Sequence, residues 1–292
     1  MPTSALDFLA LSQQIEQLLV RKNLRGMAQL APHLRPGYIL RAARIINQCR
    51  GTVLIGTGFP VLDTFETDGP VGAIALYQLL QRLGATPVIV CGDPLYSKLQ
   101  ADYRCYRISV NHYQRLPEIA AAALDELRPQ LVISIERPGF NASQRYFNMR
   151  GEDISERCAS FDYFLIQASC PTIGIGDGGN EIGMGNLHQA VSQLNITPAV
   201  TECDELIVAD VSNWAAWGIG AMLSILRGEN LLAAADPLTI LQYLSARGSV
   251  DGVTRLNTLT EDSLPHTEGL QLINDLGLLI TEPVRIEHQP PA

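Results

Sequence analysis

Residues 165–184 read LIQASCPTIGIGDGGNEIGM. Within them, Thr172-Ile173-Gly174-Ile175 has the length and β-branched content of a buried strand. It runs into Gly176-Asp177-Gly178-Gly179-Asn180-Glu181, where three glycines surround two carboxylates and an amide. Glycine permits positive φ and close approach of a ligand to the backbone. Asp177, Asn180 and Glu181 are therefore expected at a strand end, beside exposed N–H groups. A helix beginning at Asn180 or Glu181 and continuing over 182–194 would aim its positive N-terminus at the same space. That combination suits an anionic or metal-bound small molecule. A Gly-rich strand-to-helix turn also serves as a plain connection, with Asp or Asn as its N-cap, so the surrounding chain has to decide.

Working outward, apolar runs of strand length alternate with segments of helical periodicity. Strands are predicted at 52–56, 86–91, 105–110, 131–136, 171–175 and 205–209. Helices are predicted at 70–84, 95–103, 117–127, 161–168, 182–194 and 214–226, with two further amphipathic segments near 237–246 and 270–278. Strands separated by helices of this length indicate βαβ units. The expected fold is one α/β domain over 1–292, a doubly wound, mostly parallel sheet with helices on both faces. Residues 51–292 form the βαβ core and 1–50 a helical lead-in. The lead-in helix over 4–22 carries Leu6, Leu9, Leu11, Ile15, Leu18 and Leu19 at helical spacing, with Ser4 or Asp7 as cap. A second helix, 38–49, follows the Arg35-Pro36-Gly37 break, and both are read as packing elements.

Composition narrows the functional classes. A hydrophobic fraction of 47% and a charged fraction of 17% describe a folded protein. The formal charge, 21 − 30 = −9, argues against nucleic acid as a partner. It leaves room for small acidic metabolites held by local arginines and helix N-termini. Cys49, Cys91, Cys105, Cys158, Cys170 and Cys203 are scattered without a C-x-x-C pair, which suits reduced thiols rather than a disulfide framework or zinc site. No signal-peptide pattern is visible and no window approaches the roughly 18 apolar residues of a membrane span, so a cytoplasmic location without membrane association is expected. The apolar lead-in suggests a homodimer.

In open parallel sheets, ligands bind beyond the carboxyl ends of the strands. Three polar clusters fall at such ends. One follows strand 52–56: Gly56, Thr57 and Gly58, then Glu66, Thr67, Asp68 and Gly69. Another follows 131–136: Glu136 and Arg137, then Tyr146, Asn148, Arg150 and Asp153. The third is Asp177, Gly178, Gly179, Asn180 and Glu181. Each alone is ordinary loop composition; their convergence in one cleft is the main functional expectation. The first is not a Walker loop, lacking G-K-[ST], and Pro60 spoils a dinucleotide fingerprint. Arg137 and Arg150 either make surface ion pairs or capture a substrate carboxylate. Glu136 either pairs with Arg137 or joins the site. His188, Trp214 and Trp217 read as structural, with no second ligand or base at useful spacing.

The segments GTGFP (56–60), TDGPVGA (67–73), SIERPG (134–139), YFNMRGEDIS (146–155) and IGDGGNEIGMG (175–185) resemble the D-glutamate cyclase family, in its C-terminal domain. The resemblance spans roughly residues 40–280. It implies a hydro-lyase that dehydrates D-glutamate to 5-oxo-D-proline. Animal members are described as mitochondrial and carry a further N-terminal domain resembling a separate hydro-lyase family, to which nothing in this sequence corresponds.

Cyclising glutamate requires the α-amine to attack the γ-carboxyl carbon and expel water. It needs a base for the ammonium proton, an acid for the departing oxygen, and donors around the oxyanion. Paired carboxylates whose pKa values are pushed apart can divide the first two tasks. Asp177 and Glu181 are the leading pair, with Asp68 as alternate. Arg137 or Arg150 would hold the α-carboxylate, and Asn180 with the glycine N–H groups would face the oxyanion. This chemistry requires no cofactor. A second reading places Mg²⁺ or Ca²⁺ among Asp68, Asp177 and Glu181 as Lewis acid, acting on this or another small acidic metabolite. A third is a non-catalytic protein that binds such a metabolite.

Overall fold

Six short apolar runs form one parallel sheet in the computed structural model, which describes residues 5–110, 116–281 and 285–286. The strands are β1 (Thr52–Gly56), β2 (Thr86–Cys91), β3 (Cys105–Arg107), β4 (Leu131–Ile135), β5 (Thr172–Gly176) and β6 (Glu205–Val208). Their order across the sheet is β3-β2-β1-β4-β5-β6, and every neighbouring pair is parallel. The winding reverses between β1 and β4, the position at which doubly wound sheets open a crevice beyond their carboxyl ends.

Strand side chains alternate between the two faces, as the pleat requires. Val53, Ile55, Ile89, Ile133, Ile173 and Ile175 point into the larger core. There they meet α1 (Phe8–Leu19), α3 (Tyr38–Gln48), α4 (Pro70–Arg82), α9 (Ser212–Arg227), α10 (Pro237–Ser245) and α11 (His266–Thr281). Leu54, Val88, Val90 and Val132 point the other way, onto α6 (Leu116–Leu127) and α7 (Asp162–Ile166). β4 and β5 are buried at every residue, as expected of strands covered on both faces. α9 is buried from Ser212 to Ile225 because α1, α3, α4 and α11 all pack on it, with Trp214 and Trp217 in the core. The apolar face of α1 is thus used inside the chain: Leu11, Ile15 and Leu19 are fully buried.

Several boundaries differ from the sequence reading. α1 starts after Asp7, whose carboxylate caps Ala10 N at 3.0 Å; Ser4 lies outside the described residues. A short helix, α2 (Met27–Leu30), and a hairpin, Pro60–Val61 with Thr64–Phe65, were not anticipated. α5 stops at Leu99 (Leu95–Leu99).

The largest correction concerns 182–194. Instead of one helix there is a 3₁₀ turn (Met184–Leu187) and a single helical turn, α8 (His188–Val191), with His188 exposed. The cause is backbone pairing: Ile182 N donates to Arg137 O, Gly183 N and Gly185 N donate to Thr201 O, and Ala199 N donates to Gly179 O. Gly183, at φ +100°, lets the chain press against Gly174, where a Cβ would stand 3.0 Å from the Gly174 Cα. With no helix beginning at Asn180, no dipole reaches the glycine turn from that side. Among the described residues, no helix is long and apolar enough to cross a membrane.

Gly56, read as a ligand contact, ends β1 against the Phe161 ring. A Cβ there would lie 2.2 Å from Cε1. Gly56→Ala should therefore lower the urea midpoint, corresponding to roughly 1–3 kcal/mol of overpacking strain. Gly277→Ala, in α11 with nothing within 4 Å of the added methyl, should leave stability unchanged or raise it slightly.

Candidate active site

The carboxyl ends of β1, β4 and β5 each deliver an acid to one point. Glu136 directly follows β4 and Asp177 directly follows β5, whereas Asp68 arrives at the end of the loop after β1. One carboxylate oxygen from each lies within 4.8 Å of the other two. Glu136 has φ +42°, a conformation that costs a non-glycine residue energy and is concentrated at functional sites. It directs the side chain toward Ser212, whose hydroxyl donates to Glu136 Oε2 at 2.6 Å.

Asp68 is fixed by an exchange of caps between two helices. Its carboxylate accepts from Ser212 N and Asn213 N, both at 2.8 Å, at the N-terminus of α9. The Asn213 amide oxygen accepts in return from Gly69 N at 2.8 Å and Gly72 N at 2.6 Å, at the N-terminus of α4. Two helix N-termini thus point at the acids, supplying the positive potential that was expected after β5.

The C-terminal part adds two more acids. Thr260–Glu261 and Leu264–Pro265 form a hairpin whose central residues, Asp262 and Ser263, both have positive φ, the geometry of a two-residue I′ turn. Glu261 accepts from Asn213 Nδ2 at 2.7 Å. Arg25, from the segment between α1 and α2, inserts between Asp177 and Asp262 and pairs with both. Glu66, Asp68, Glu136, Asp177, Glu181, Glu261 and Asp262 are all buried, and among the described residues the ion pairs made to this group come from Arg25.

The remaining anticipated residues divide. Glu181 lines the cleft, but its carboxylate accepts from Gly178 N at 2.9 Å and Gly179 N at 2.7 Å, so the glycine amides expected at an oxyanion hold the turn's own side chain. Asn180 Nδ2 is likewise spent on Phe147 O at 2.9 Å. Arg137 is turned away from the acids and does not pair with Glu136. Its guanidinium donates to the main-chain oxygens of Thr57, Gly58 and Ala159, beside a neighbouring cavity. Thr67 is fully buried, its hydroxyl donating to Thr260 O. Tyr146 belongs to a separate buried network with Asp162 at 2.7 Å, and Asp153 pairs with Arg145. Asn148 organises its loop by accepting from Arg150 N and Glu152 N. Arg150 lines the cleft, with Nη2 donating to Val253 O at 2.6 Å.

The cleft encloses about 550 Å³, open solvent at its mouth included. The buried acids Glu66, Glu136, Asp177, Glu181 and Asp262 form its floor with Arg25, and Arg150, Arg157 and Arg255 also line it. Arg25, Arg255, Glu261 and Asp262 were missed by sequence reading. The Asp262-Ser263 turn contains no glycine and so lacks the pairs that mark a two-residue hairpin in sequence. Nothing in the spacing around Arg25 marks it.

Electrostatics set the site apart. Burial pushes the Asp68 carboxyl up to about 7, with Asp262 adding to the shift, and pushes Glu261 up to about 8. Burial followed by neighbouring carboxylates raises Glu66 and Glu136 well above the usual range, and burial raises Asp177 despite Arg25. Burial opposes Asp262, but Arg25 outweighs it and holds that carboxyl low.

Acids with raised native pKa bind protons more tightly folded than unfolded. Their contribution to stability is present near pH 4 and lost as pH climbs through 7 to 8. The melting temperature of metal-free protein should therefore fall between pH 5 and pH 8. Arg25→Gln should cost roughly 3 kcal/mol or more at pH 8, where the charged acids lose their counter-ion. The cost should be clearly smaller at pH 5. Urea unfolding at both pH values checks this; an equal penalty at both would contradict it.

Comparison with known proteins agrees with the motifs. The family model described as "D-glutamate cyclase-like, C-terminal" matches residues 15–277. The human protein "D-glutamate cyclase, mitochondrial" is 33% identical over 215 residues, which is 64% of this chain and 35% of that protein. The chain thus spans about a third of that relative's length. An exopolyphosphatase-related protein from Bacteroides fragilis superposes with a TM-score of 0.39 at 12% identity, covering 87% of this chain and 62% of its own, too loose a likeness to carry any argument. With the motifs lying at the strand ends and nearly the whole chain matched, this protein belongs to the D-glutamate cyclase-like C-terminal family.

Proposed function

We propose that this protein dehydrates D-glutamate to 5-oxo-D-proline in the acidic cleft. The observation that carries the reading is that Glu136 and Asp177, whose burial favours keeping their protons, line one cleft with Arg150 and Arg255, in a chain of this family. In the reaction the α-nitrogen bonds to the γ-carboxyl carbon and one carbon–oxygen bond breaks. The ammonium gives up two protons in becoming an amide N–H, and both leave with that oxygen as water. Groups that exchange protons near neutrality are suited to such a transfer.

Asp177 and Glu136 are the working pair in this reading, because both line the cleft and neither carboxylate is consumed by a glycine turn. Glu181 becomes a positioning residue that shapes the loop after β5. The substrate's α-carboxylate is held by the wall, where Arg255 Nε is buried without an acceptor and Arg150 stands nearby.

Incubating purified protein with D- and L-glutamate, and following 5-oxoproline by NMR, tests the reading. D-Glutamate should be converted, Asp177→Asn and Glu136→Gln should each lower kcat by about 10²–10⁴-fold, and Arg255→Gln should act mainly on KM. Binding of D-glutamate without turnover would instead favour a non-catalytic metabolite-binding role. Neither binding nor turnover would remove the assignment.

A further inference from the structure

The acids of the cleft floor are too many for Arg25. That guanidinium bonds to Asp177 and Asp262, and makes no hydrogen bond to Asp68, Glu136 or Glu66. Asp68, Glu136 and Asp177 nevertheless bring an oxygen each to within 4.8 Å of the other two. Oxygens sharing a divalent ion at about 2.1–2.5 Å lie at most about 4.2–5.0 Å apart, so this set fits one coordination sphere. A second observation is independent of that spacing. Glu66 is 6% exposed, lines the same cleft, and its Oε1 is buried with no hydrogen-bond partner. Buried polar atoms without partners are uncommon in native proteins and call for an explanation such as an ion. The Glu66 carboxylate reaches this position because residue 252 is glycine: a Cβ there would lie 2.0 Å from Glu66 Oε2.

We propose that Asp68, Glu136 and Asp177 ligate one hard divalent cation of the Mg²⁺, Mn²⁺ or Ca²⁺ class, with the unpartnered Glu66 carboxylate adding negative charge beside the ion. All three donors are carboxylates, and no His or Cys accompanies them in the set, which selects oxygen-preferring ions over zinc or copper. The hydrogen bonds that Asp68 receives from Ser212 N and Asn213 N, and Glu136 from the Ser212 hydroxyl, orient the ligands as outer-shell contacts do in built metal sites. This set differs from the one expected from sequence: Glu181 is not among the carboxylates whose oxygens come within 4.8 Å of one another, and Glu136 takes its place. The ion offsets the floor's negative charge, so an acidic ligand can enter past Arg150 and Arg255 without meeting uncompensated carboxylates. The site does not depend on which acid is turned over.

Chelator-treated full-length protein titrated with Mn²⁺ at pH 7.5, followed by electron paramagnetic resonance, tests the proposal. One ion per chain should bind, Mg²⁺ or Ca²⁺ should compete, and the melting temperature should rise with the logarithm of ion concentration. Glu136→Gln and Glu66→Gln should each weaken Mn²⁺ binding about tenfold or more. Glu229→Gln, just beyond the far end of the 16-residue α9, should leave it unchanged. Circular dichroism establishes that each variant is folded, and Glu66→Gln, the milder change, carries the test if Glu136→Gln does not fold. Absence of Mn²⁺ binding at millimolar concentration, or binding unaffected by the cleft-floor variants, overturns the proposal. Mn²⁺ binding without any turnover of D-glutamate would support the site while rejecting the proposed reaction.

Discussion

Seven buried carboxylates gathered around one guanidinium are an arrangement that water would screen and that a protein interior tolerates only at considerable cost. Everything distinctive about this chain bears on that imbalance. Two helix N-termini, from α4 and α9, are locked against each other by the Asp68–Asn213 exchange of caps and turn their positive ends toward the acids. Arg25 is brought in from the far N-terminal part of the sequence. The shifted carboxyls then retain protons at a pH where exposed acids have lost theirs. Such a cluster is a standing cost to stability, and its persistence at the switch point of the sheet is the strongest structural reason to regard it as functional.

The division of labour within the acids follows from what each carboxylate already bonds. Glu181 closes the glycine turn and Glu261 bonds the Asn213 amide. Asp68 caps α9 while keeping lone pairs turned toward Glu136 and Asp177. Glu136 and Asp177 line the cleft together with Arg150 and Arg255. The chain belongs to the D-glutamate cyclase-like C-terminal family and corresponds to about a third of the human relative.

Much of this was legible in the sequence, and the limits have physical causes. β1, β4 and β5 announced themselves as apolar runs ending in polar, glycine-rich loops, and the rule for open α/β sheets placed Asp68, Glu136 and Asp177 on one rim. Local pattern could not show which way a side chain turns once it is there. Arg137 follows Glu136 directly, yet it turns to main-chain oxygens of the loop after β1 and of residue 159. The helix expected over 182–194 was overridden by pairing with 137–139 and 199–201, contacts that no periodicity encodes. Arg25 and Asp262 are separated by more than 200 residues (|i−j| = 237), and only the tertiary fold brings them together.

The central claim is that the acids at this rim keep protons to near neutral pH. Its most direct measurement is a ¹³C NMR titration of side-chain carboxyls in metal-free protein, with Asp68→Asn and Glu261→Gln used for assignment. The account predicts that Asp68 titrates near pH 7 and Glu261 near pH 8, with Asp262 below both. Titration of every carboxyl below pH 5 would contradict it.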